Sequence, residues 1–250
     1  MKHILSFSGG KDSTELGHFL IEQGYPLDEV VMFDTGWEFP QMYKHIEKMR
    51  AYLENHGVKL TVLKPKRSFD YLMTEKLVKE RNGGGCHYGY SWCGLKGCRW
   101  GTTEKTAALD EYSQRNDGAI VYIGIAADER EREKRLKNNQ ISLLCKYGLT
   151  EKDAQELAAE YGLLSPIYNY AKRGGCFFCP NATIKQITYL YKNNFELFQK
   201  LKELENKPGV IGAVFDSRKK RSLADIERRI KCENQQQEFF IDKKNGYLLS

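Results

Sequence analysis

The stretch that most constrains this chain is Ile4–Ser13, an apolar run followed at once by Ser-Gly-Gly-Lys-Asp-Ser. The apolar run reads as a strand, and the residues after the loop are compatible with a helix. Gly9 and Gly10 permit positive φ and let the backbone approach a ligand closely. The first amides of the helix and its dipole would face that ligand, together with the Lys11 ammonium. The stretch therefore predicts a phosphate or pyrophosphate site, in preference to an ordinary strand–turn–helix corner with a surface lysine.

The loop differs from the Walker pattern, because its two glycines directly precede Lys11. It resembles instead the PP-loop of the adenine nucleotide α-hydrolase superfamily, which includes ATP pyrophosphatases and phosphoadenosine phosphosulfate reductases. That resemblance implies an adenine nucleotide as ligand. The residues expected to bind it here are Ser6, Ser8, Gly9, Gly10, Lys11, Asp12 and Ser13.

Length and composition are those of a folded, soluble protein. The chain has 250 residues, of which 41% are hydrophobic and 29% charged, so wholesale disorder is not expected. Its net charge of +6 suits nucleotides, nucleic acid or other acidic partners without choosing among them. No run reaches the roughly 18 apolar residues of a membrane span, and the apolar N-terminal stretch is short for a signal peptide. We therefore predict no membrane contact and a cytoplasmic location.

Strand-like segments alternate with helix-like segments through the first half of the chain. The buried strand candidates after the first are Glu29–Asp34, Val58–Leu63 and Ala119–Ile125. Such alternation predicts the α/β class, with a Rossmann-like doubly wound parallel sheet covered by helices on both faces. Ligands of such sheets bind at the carboxyl ends of the strands, where the first loop and Asp34 would lie.

Two cysteine-containing segments interrupt or follow this pattern. Residues 81–101 hold seven glycines and three cysteines, which indicates an irregular, functional loop. Residues 174–180 read Gly-Gly-Cys-Phe-Phe-Cys-Pro. We predict one nucleotide-binding domain over residues 1–205 that includes both segments and ends in helices. A small C-terminal appendage would follow over residues 206–250.

Seven cysteines are many for a cytosolic protein, where clustered thiols more often serve metal or redox chemistry than disulfides. We predict a metal site formed by Cys93, Cys98, Cys176 and Cys179. Four thiolates at these spacings fit Zn²⁺ as readily as an iron–sulfur cluster. Cys86 is the first substitute ligand, Cys145 is another, and Cys232 reads as incidental.

Four blocks within about residues 1–185 resemble the phosphoadenosine phosphosulfate reductase family. They are the PP-loop, Phe33–Pro40 (similar to D-T-G-x-E-x-P), Gly124–Arg130 (similar to G-x-R-x-x-E-S-x-x-R) and residues 174–180. The resemblance implies that Asp34 and Thr35 contact adenine or ribose and that Gly124 also lies at the nucleotide. Ala126 replaces one family arginine, so the basic contact would come from Arg130 or Arg132.

The resemblance further implies an ATP pyrophosphatase with Mg²⁺, in which Lys11, Asp12 and Arg130 take part in catalysis. Asp12 would position Mg²⁺ or, equally, cap the helix. Attack on the α-phosphate would give an adenylated intermediate and pyrophosphate. The cysteine-bound metal would hold the fold closed or deliver sulfur, with tRNA or DNA as acceptor or a protein as sulfur donor.

Two other classes of function remain open from the sequence. A sulfonucleotide reductase needs a nucleophilic cysteine in a terminal Glu-Cys-Gly-x-His stretch, whereas Cys232 is followed by Glu-Asn-Gln. That departure makes adenylyl sulfate reduction the weaker hypothesis. A non-enzymatic nucleic-acid or protein-binding module is disfavoured by the intact loop. The oligomeric state is open.

Overall fold

The computed structural model describes residues 1–79, 83–89, 99–179, 182–207 and 222–233. The chain forms two compact units, one of residues 1–66 and 100–177 and one of residues 67–99 and 178–250. The domain boundary predicted near residue 206 adjoins residues 208–221, which lie outside the described part. That boundary stays a prediction.

The first unit contains a five-stranded sheet. Its strands are β1 (His3–Phe7), β2 (Glu29–Phe33), β3 (Lys59–Leu63), β4 (Ile120–Ile123) and β5 (Gln140–Ile141). They lie in the order β3-β2-β1-β4-β5, and every neighbouring pair is parallel. The predicted α/β fold with a parallel sheet is therefore confirmed.

Six helices belong to this unit. They are α1 (Lys11–Glu22), α2 (Pro40–Asn55), α3 (Lys105–Arg115), α4 (Arg130–Glu133), α5 (Leu143–Lys146) and α6 (Glu151–Glu160). Side chains alternate across β1, so Leu5 packs in the core with Leu16 of α1 and Met49 of α2. Ile4 points the other way and packs with Leu109 of α3. Helices therefore cover both faces of the sheet, which explains why all five residues of β2 are buried.

The direction of winding reverses at β1. From this strand the chain first adds β2 and β3 on one side and later β4 and β5 on the other. In such open parallel sheets the carboxyl ends of the two strands at the reversal diverge and leave a crevice for ligands. Here that crevice lies after Phe7 of β1 and Ile123 of β4.

The second unit contains a short antiparallel hairpin and helices. Leu77–Lys79 pairs with Cys86–Tyr88, after the π-helical turn Tyr71–Glu75. The helices are α7 (Ile184–Asn193), α8 (Phe195–Glu205) and α9 (residues 223–233). The side chain of Thr183 caps α7 in a capping box with Gln186. Among the described helices of both units, none is long and apolar enough to cross a bilayer.

Candidate functional site

The loop between β1 and α1 has the backbone that its sequence predicts. Gly9 has φ +73°, a left-handed conformation that favours glycine. Gly10 precedes the helix with extended backbone and, as the N-cap residue, carries no side chain that could cap the helix. The first N–H groups of α1 are therefore not taken up by a local capping side chain, as in helix starts that bind anions.

The two serines of the loop hold it in one conformation. The Ser8 amide donates to Ser13 Oγ at 3.1 Å, and the two hydroxyl oxygens lie 3.0 Å apart. Ser13 Oγ also donates to the Gly10 carbonyl at 3.1 Å. These bonds close the loop on itself, so its shape does not depend on a bound ligand.

Lys11 combines burial with two ionic partners. Its residue is 6% exposed, and its Nζ lies 2.9 Å from both Asp12 Oδ1 and Glu151 Oε2. Burial by itself would lower the pKa of the ammonium, but the hydrogen bonds to the two carboxylates outweigh burial and raise it. The lysine is therefore a fixed positive charge at the start of α1.

A tyrosine that the sequence gave no reason to single out completes the helix start. The Lys11 amide donates to the Tyr168 hydroxyl at 2.8 Å. The same hydroxyl hydrogen-bonds the backbone of Gly174. Burial raises the pKa of Tyr168, so the side chain stays protonated and can still donate to a ligand.

Gly124 brings the end of β4 against the start of α1. A Cβ at this position would lie 2.7 Å from the Ser13 amide nitrogen and 2.8 Å from Ser13 Cα. Because these neighbours are backbone atoms, they cannot turn aside for a side chain. Only glycine allows the end of β4 to approach the start of α1 in this way.

These elements surround a cavity of about 180 Å³. Six residues predicted to bind the nucleotide line it, namely Ser8, Gly10, Lys11, Asp12, Ser13 and Gly124. Seven other residues also line it, namely Glu129, Arg132, Glu151, Tyr168, Lys172, Arg173 and Gly174. Four cations and three carboxylates thus face a small polar space, which suits a phosphate group held by several donors.

The structure places the two candidate arginines differently. Arg132 lies in the cavity wall, and its Nη1 contacts both carboxylate oxygens of Glu129 at 2.5 Å. Arg130 is exposed at the start of α4. A catalytic role for Arg130 remains a prediction, and the alternative Arg132 has the nearer position.

Four predicted nucleotide contacts do not line this cavity, namely Gly9 of the loop itself, Ser6, Asp34 and Thr35. Ser6 lines a second cavity of about 220 Å³ between the sheet and α3. Asp34 follows β2, and its Oδ1 accepts from the Gly36 amide at 2.8 Å and the Tyr43 hydroxyl at 3.0 Å. Thr35 is buried and donates to Glu38 Oε1 at 2.8 Å. Ser6 is a residue of β1, whereas Asp34 and Thr35 directly follow β2. The contacts of Asp34 and Thr35 to adenine or ribose, and of Ser6 to the nucleotide, remain predictions.

Cys176 joins a partly buried polar cluster with Thr35, Glu38 and Lys105. Its Sγ lies 3.3 Å from Glu38 Oε1 and 3.4 Å from Thr35 Oγ1. Glu38 and Cys176 also form an isolated antiparallel bridge. Burial lowers the pKa of Lys105, against the opposing charges of Glu38 and Cys176, and burial raises the pKa of Glu38. The Oε2 atom of Glu38 is buried without a hydrogen-bond partner in the described chain.

The four predicted metal ligands are described only in part. Cys93 and Cys98 lie outside the described residues, and Cys176 and Cys179 belong to different units. Within the described residues, no group of three or more His, Cys, Asp or Glu side chains could hold a metal ion. The residues seen do not by themselves make a site, so the tetrathiolate centre stays a prediction and no chemical step below depends on it.

The other cysteines have separate surroundings. Cys145 donates from its Sγ to the Ile125 carbonyl at 3.2 Å, consistent with a thiol that packs in the fold. Cys86 and Cys232 are exposed. Whether Cys86 or Cys145 replaces one of the four predicted ligands is not tested by these positions.

Glu151 and Tyr168 could not be found as site residues from local patterns. Thr150 and Asp153 form a capping box at the start of α6. That pattern fixes where the helix begins, but not that its first residue reaches Lys11, 140 positions away. Tyr168 lies in the short 3₁₀ turn Pro166–Asn169, which has no motif of its own.

Comparison with known proteins relates the chain to one family. The sequence model of the phosphoadenosine phosphosulfate reductase domain matches residues 2–144, more than half of the chain. Among solved structures, the U34-tRNA thiolase NcsA from Methanococcus maripaludis with its [4Fe-4S] cluster is similar, at 18% identity and a TM-score of 0.43. The match covers 92% of this chain and 72% of that chain. A search of curated proteins gave no significant match.

Proposed function

Because the chain belongs to the phosphoadenosine phosphosulfate reductase family, we propose that it is an enzyme that binds ATP in the cavity after β1 and activates a substrate by adenylation. The observation that carries this proposal is the closed Ser8–Ser13 loop, with a buried lysine at a helix start whose N-cap residue, Gly10, has no capping side chain. These features combine in the crevice where parallel sheets bind nucleotides.

The arrangement suits displacement at phosphorus. Gly9, Gly10 and Lys11 would hold the β- and γ-phosphates and leave the α-phosphate open to an oxygen of the acceptor. A bond forms between that oxygen and the α-phosphorus as the α–β bridging bond breaks, the acceptor loses its proton, and pyrophosphate leaves. The positive groups around the cavity stabilise the charge that develops on the leaving group, so catalysis consists mainly of positioning and electrostatics.

Mg²⁺ would join the nucleotide through Asp12, which lines the cavity. A carboxylate oxygen together with phosphate oxygens is the usual ligand set of this ion. When bound, Mg²⁺ supplies neutralisation of phosphate charge. Asp12 and Lys11 contribute the orientation of that charge, because their side chains already contact one another at 2.9 Å.

For the second half of the reaction we propose that sulfur at the sulfide level attacks the acceptor atom that bears the adenylated oxygen. A bond forms between sulfur and that atom, the bond from that atom to oxygen breaks, and AMP leaves with the oxygen. Cys176 supports this, because its Sγ lies 3.4 Å from Thr35 Oγ1. Thr35 lies just after β2, which is the neighbour of β1, the strand that leads into the cavity. The sulfur acceptor would be tRNA or DNA, and a protein would be the sulfur donor. Whether Cys176 serves as a ligand of Zn²⁺ or of an iron–sulfur cluster is part of the same proposal.

The proposal is tested with full-length protein purified without oxygen. ATP with Mg²⁺ should bind in calorimetry, and pyrophosphate should be released when total tRNA or DNA is added as acceptor. Lys11→Met should weaken ATP binding and slow pyrophosphate release, each by roughly ten- to hundred-fold, whereas the matched Lys146→Met, on an exposed lysine, should leave both unchanged. Wild-type protein that shows no ATP binding by calorimetry and no thermal shift with ATP would contradict the proposal.

A further inference from the structure

We propose that Glu151 is a positioning residue of the nucleotide site, which holds the Lys11 ammonium in place and is itself fixed by Asp128. The expected effect of Glu151 on catalysis rests on the proposed function, whereas the ion pair between Lys11 and Glu151 does not depend on it. Glu151 Oε2 lies 2.9 Å from Lys11 Nζ, and both residues line the same cavity. No other residue of α6 lines that cavity in the described structure.

The direction of the Lys11 ammonium depends on partners from two elements. An ammonium has three donors, and Asp12 and Glu151 accept from two of them. Asp12 is the next residue on the same helix, and adjacent helical residues do not face one another. If Asp12 were its only acceptor, the Lys11 ammonium would be pulled sideways around α1. Glu151 on α6 provides the second acceptor and so fixes where the ammonium points.

The start of α6 is itself fixed from the loop after β4. The Asp128 Oδ1 accepts from the Glu151 amide at 3.0 Å. One residue earlier, the Ala127 amide donates to the Leu149 carbonyl at 2.8 Å. Together with the Thr150 capping box, these bonds place Glu151 at the first position of the helix. Asp128 belongs to Gly124–Arg130, the third of the blocks that resemble the family. This block therefore helps to position the Lys11 ammonium indirectly, by fixing Glu151.

Because Glu151 is negatively charged, a role in positioning the Lys11 ammonium can be distinguished from a role in attracting the nucleotide. A carboxylate repels the phosphates of a nucleotide, so Glu151 does not add attraction in the bound ground state. Its effect is to keep the ammonium aligned with the charge that develops during the reaction. Loss of this alignment is expected to lower kcat, because small misplacements at a reacting centre cost large factors in rate.

The experiment is a kinetic double-mutant cycle in the full chain with ATP, Mg²⁺ and the acceptor that supports turnover. Glu151→Gln should lower kcat roughly ten- to hundred-fold. The Kd for ATP should change by less than about three-fold or become tighter. When Glu151→Gln is added to Lys11→Met, turnover should change by less than about two-fold. Equal losses in both backgrounds would overturn the proposal.

A matched control uses the same helix. Glu156 pairs with Lys152 in an exposed i,i+4 ion pair, so Glu156→Gln should leave kcat unchanged. Asp128→Asn should reproduce part of the kcat loss of Glu151→Gln without adding to it. A Glu156→Gln variant as impaired as Glu151→Gln would show a general effect of α6 and overturn the assignment.

A second readout does not require activity. The pKa of Lys11, followed by NMR of its ε-methylene group, should fall in Glu151→Gln and stay unchanged in Glu156→Gln. A wild-type chain that binds no ATP would refute the proposed function and leave this measurement intact. A Lys11 titration that does not respond to Glu151→Gln would refute the ion pair even in an active enzyme.

Discussion

The phosphate loop and the surroundings of Cys176 are built in opposite ways. The loop is closed by hydrogen bonds among residues 8–13, at most five positions apart. Cys176 instead meets Thr35 and Glu38 across 141 and 138 positions. The loop therefore carries its geometry in its own sequence, whereas the cysteine acquires its neighbours only when the sheet has formed.

The largest expected effect tests the cysteine side of this comparison. If Cys176 is a ligand, Cys176→Ser should remove more than about half of the bound metal per chain, since loss of one thiolate opens a closed site. Cys145→Ser should leave metal content unchanged, because that thiol bonds a backbone carbonyl. Metal analysis and absorption spectra of protein purified without oxygen measure both. Equal metal in all three proteins would remove Cys176 from the site.

Glycine substitutions compare the rigidity of the two regions. Gly124→Ala should lower the free energy of unfolding by about 3 kcal/mol, because its Cβ would meet Ser13 backbone at 2.7 Å. Gly174→Ala, near Cys176, would meet flexible side-chain atoms of Met42 and Tyr168 at 3.4–3.5 Å and should cost less than about 1 kcal/mol. Urea unfolding of both variants gives the comparison, and a larger loss for Gly174→Ala would reverse it.

Lys11→Met tests whether the loop binds a phosphate through charge. Removal of a charged hydrogen-bond donor should weaken ATP binding by roughly ten- to hundred-fold, corresponding to about 2 kcal/mol. Calorimetry with ATP and with adenosine separates binding of the phosphates from binding of the nucleoside. The affinity for adenosine should not change. A parallel loss of adenosine affinity would show that the substitution distorts the loop instead.

The buried carboxyl group of Glu15, on α1 after the phosphate loop, makes the free energy of unfolding depend on pH. Glu15 on α1 is 2% exposed, and burial raises its pKa to about 7 from 4.5. The folded state therefore keeps the proton longer than the unfolded state, and stability is lost as pH rises from about 4.5 to 7. Glu15→Gln should raise the free energy of unfolding by roughly 2 kcal/mol at pH 8 and have little effect at pH 4.

The control for this prediction is Glu54→Gln on α2, at an exposed position. It should leave the pH dependence as in the wild type. Denaturant unfolding at several pH values measures both variants. A wild-type stability that is flat between pH 4 and 8 would contradict the shifted pKa of Glu15.

The sequence predicted what local spacing encodes. The parallel sheet followed from alternating strand and helix patterns. Both glycines of the loop were expected to permit positive φ, and Gly9 adopts it whereas Gly10 does not. Glu151 and Tyr168 were not predicted, because each reaches Lys11 from at least 140 positions away. Their contacts depend on how α6 and the following turn pack, which no local pattern specifies. For the same reason the neighbours of Cys176 could not be predicted, although its Cys-x-x-Cys motif was visible.

The smallest expected effect decides between the two arginines that follow β4. Arg132 lies in the cavity wall and is held by Glu129, so Arg132→Ala should weaken ATP binding by about five-fold, or nearly 1 kcal/mol. Arg130 is exposed, and Arg130→Ala should change the Kd by less than about two-fold. Calorimetry at low and high salt should show a salt-dependent loss for Arg132→Ala, because a partly exposed charge is screened. The opposite order would assign the basic contact to Arg130.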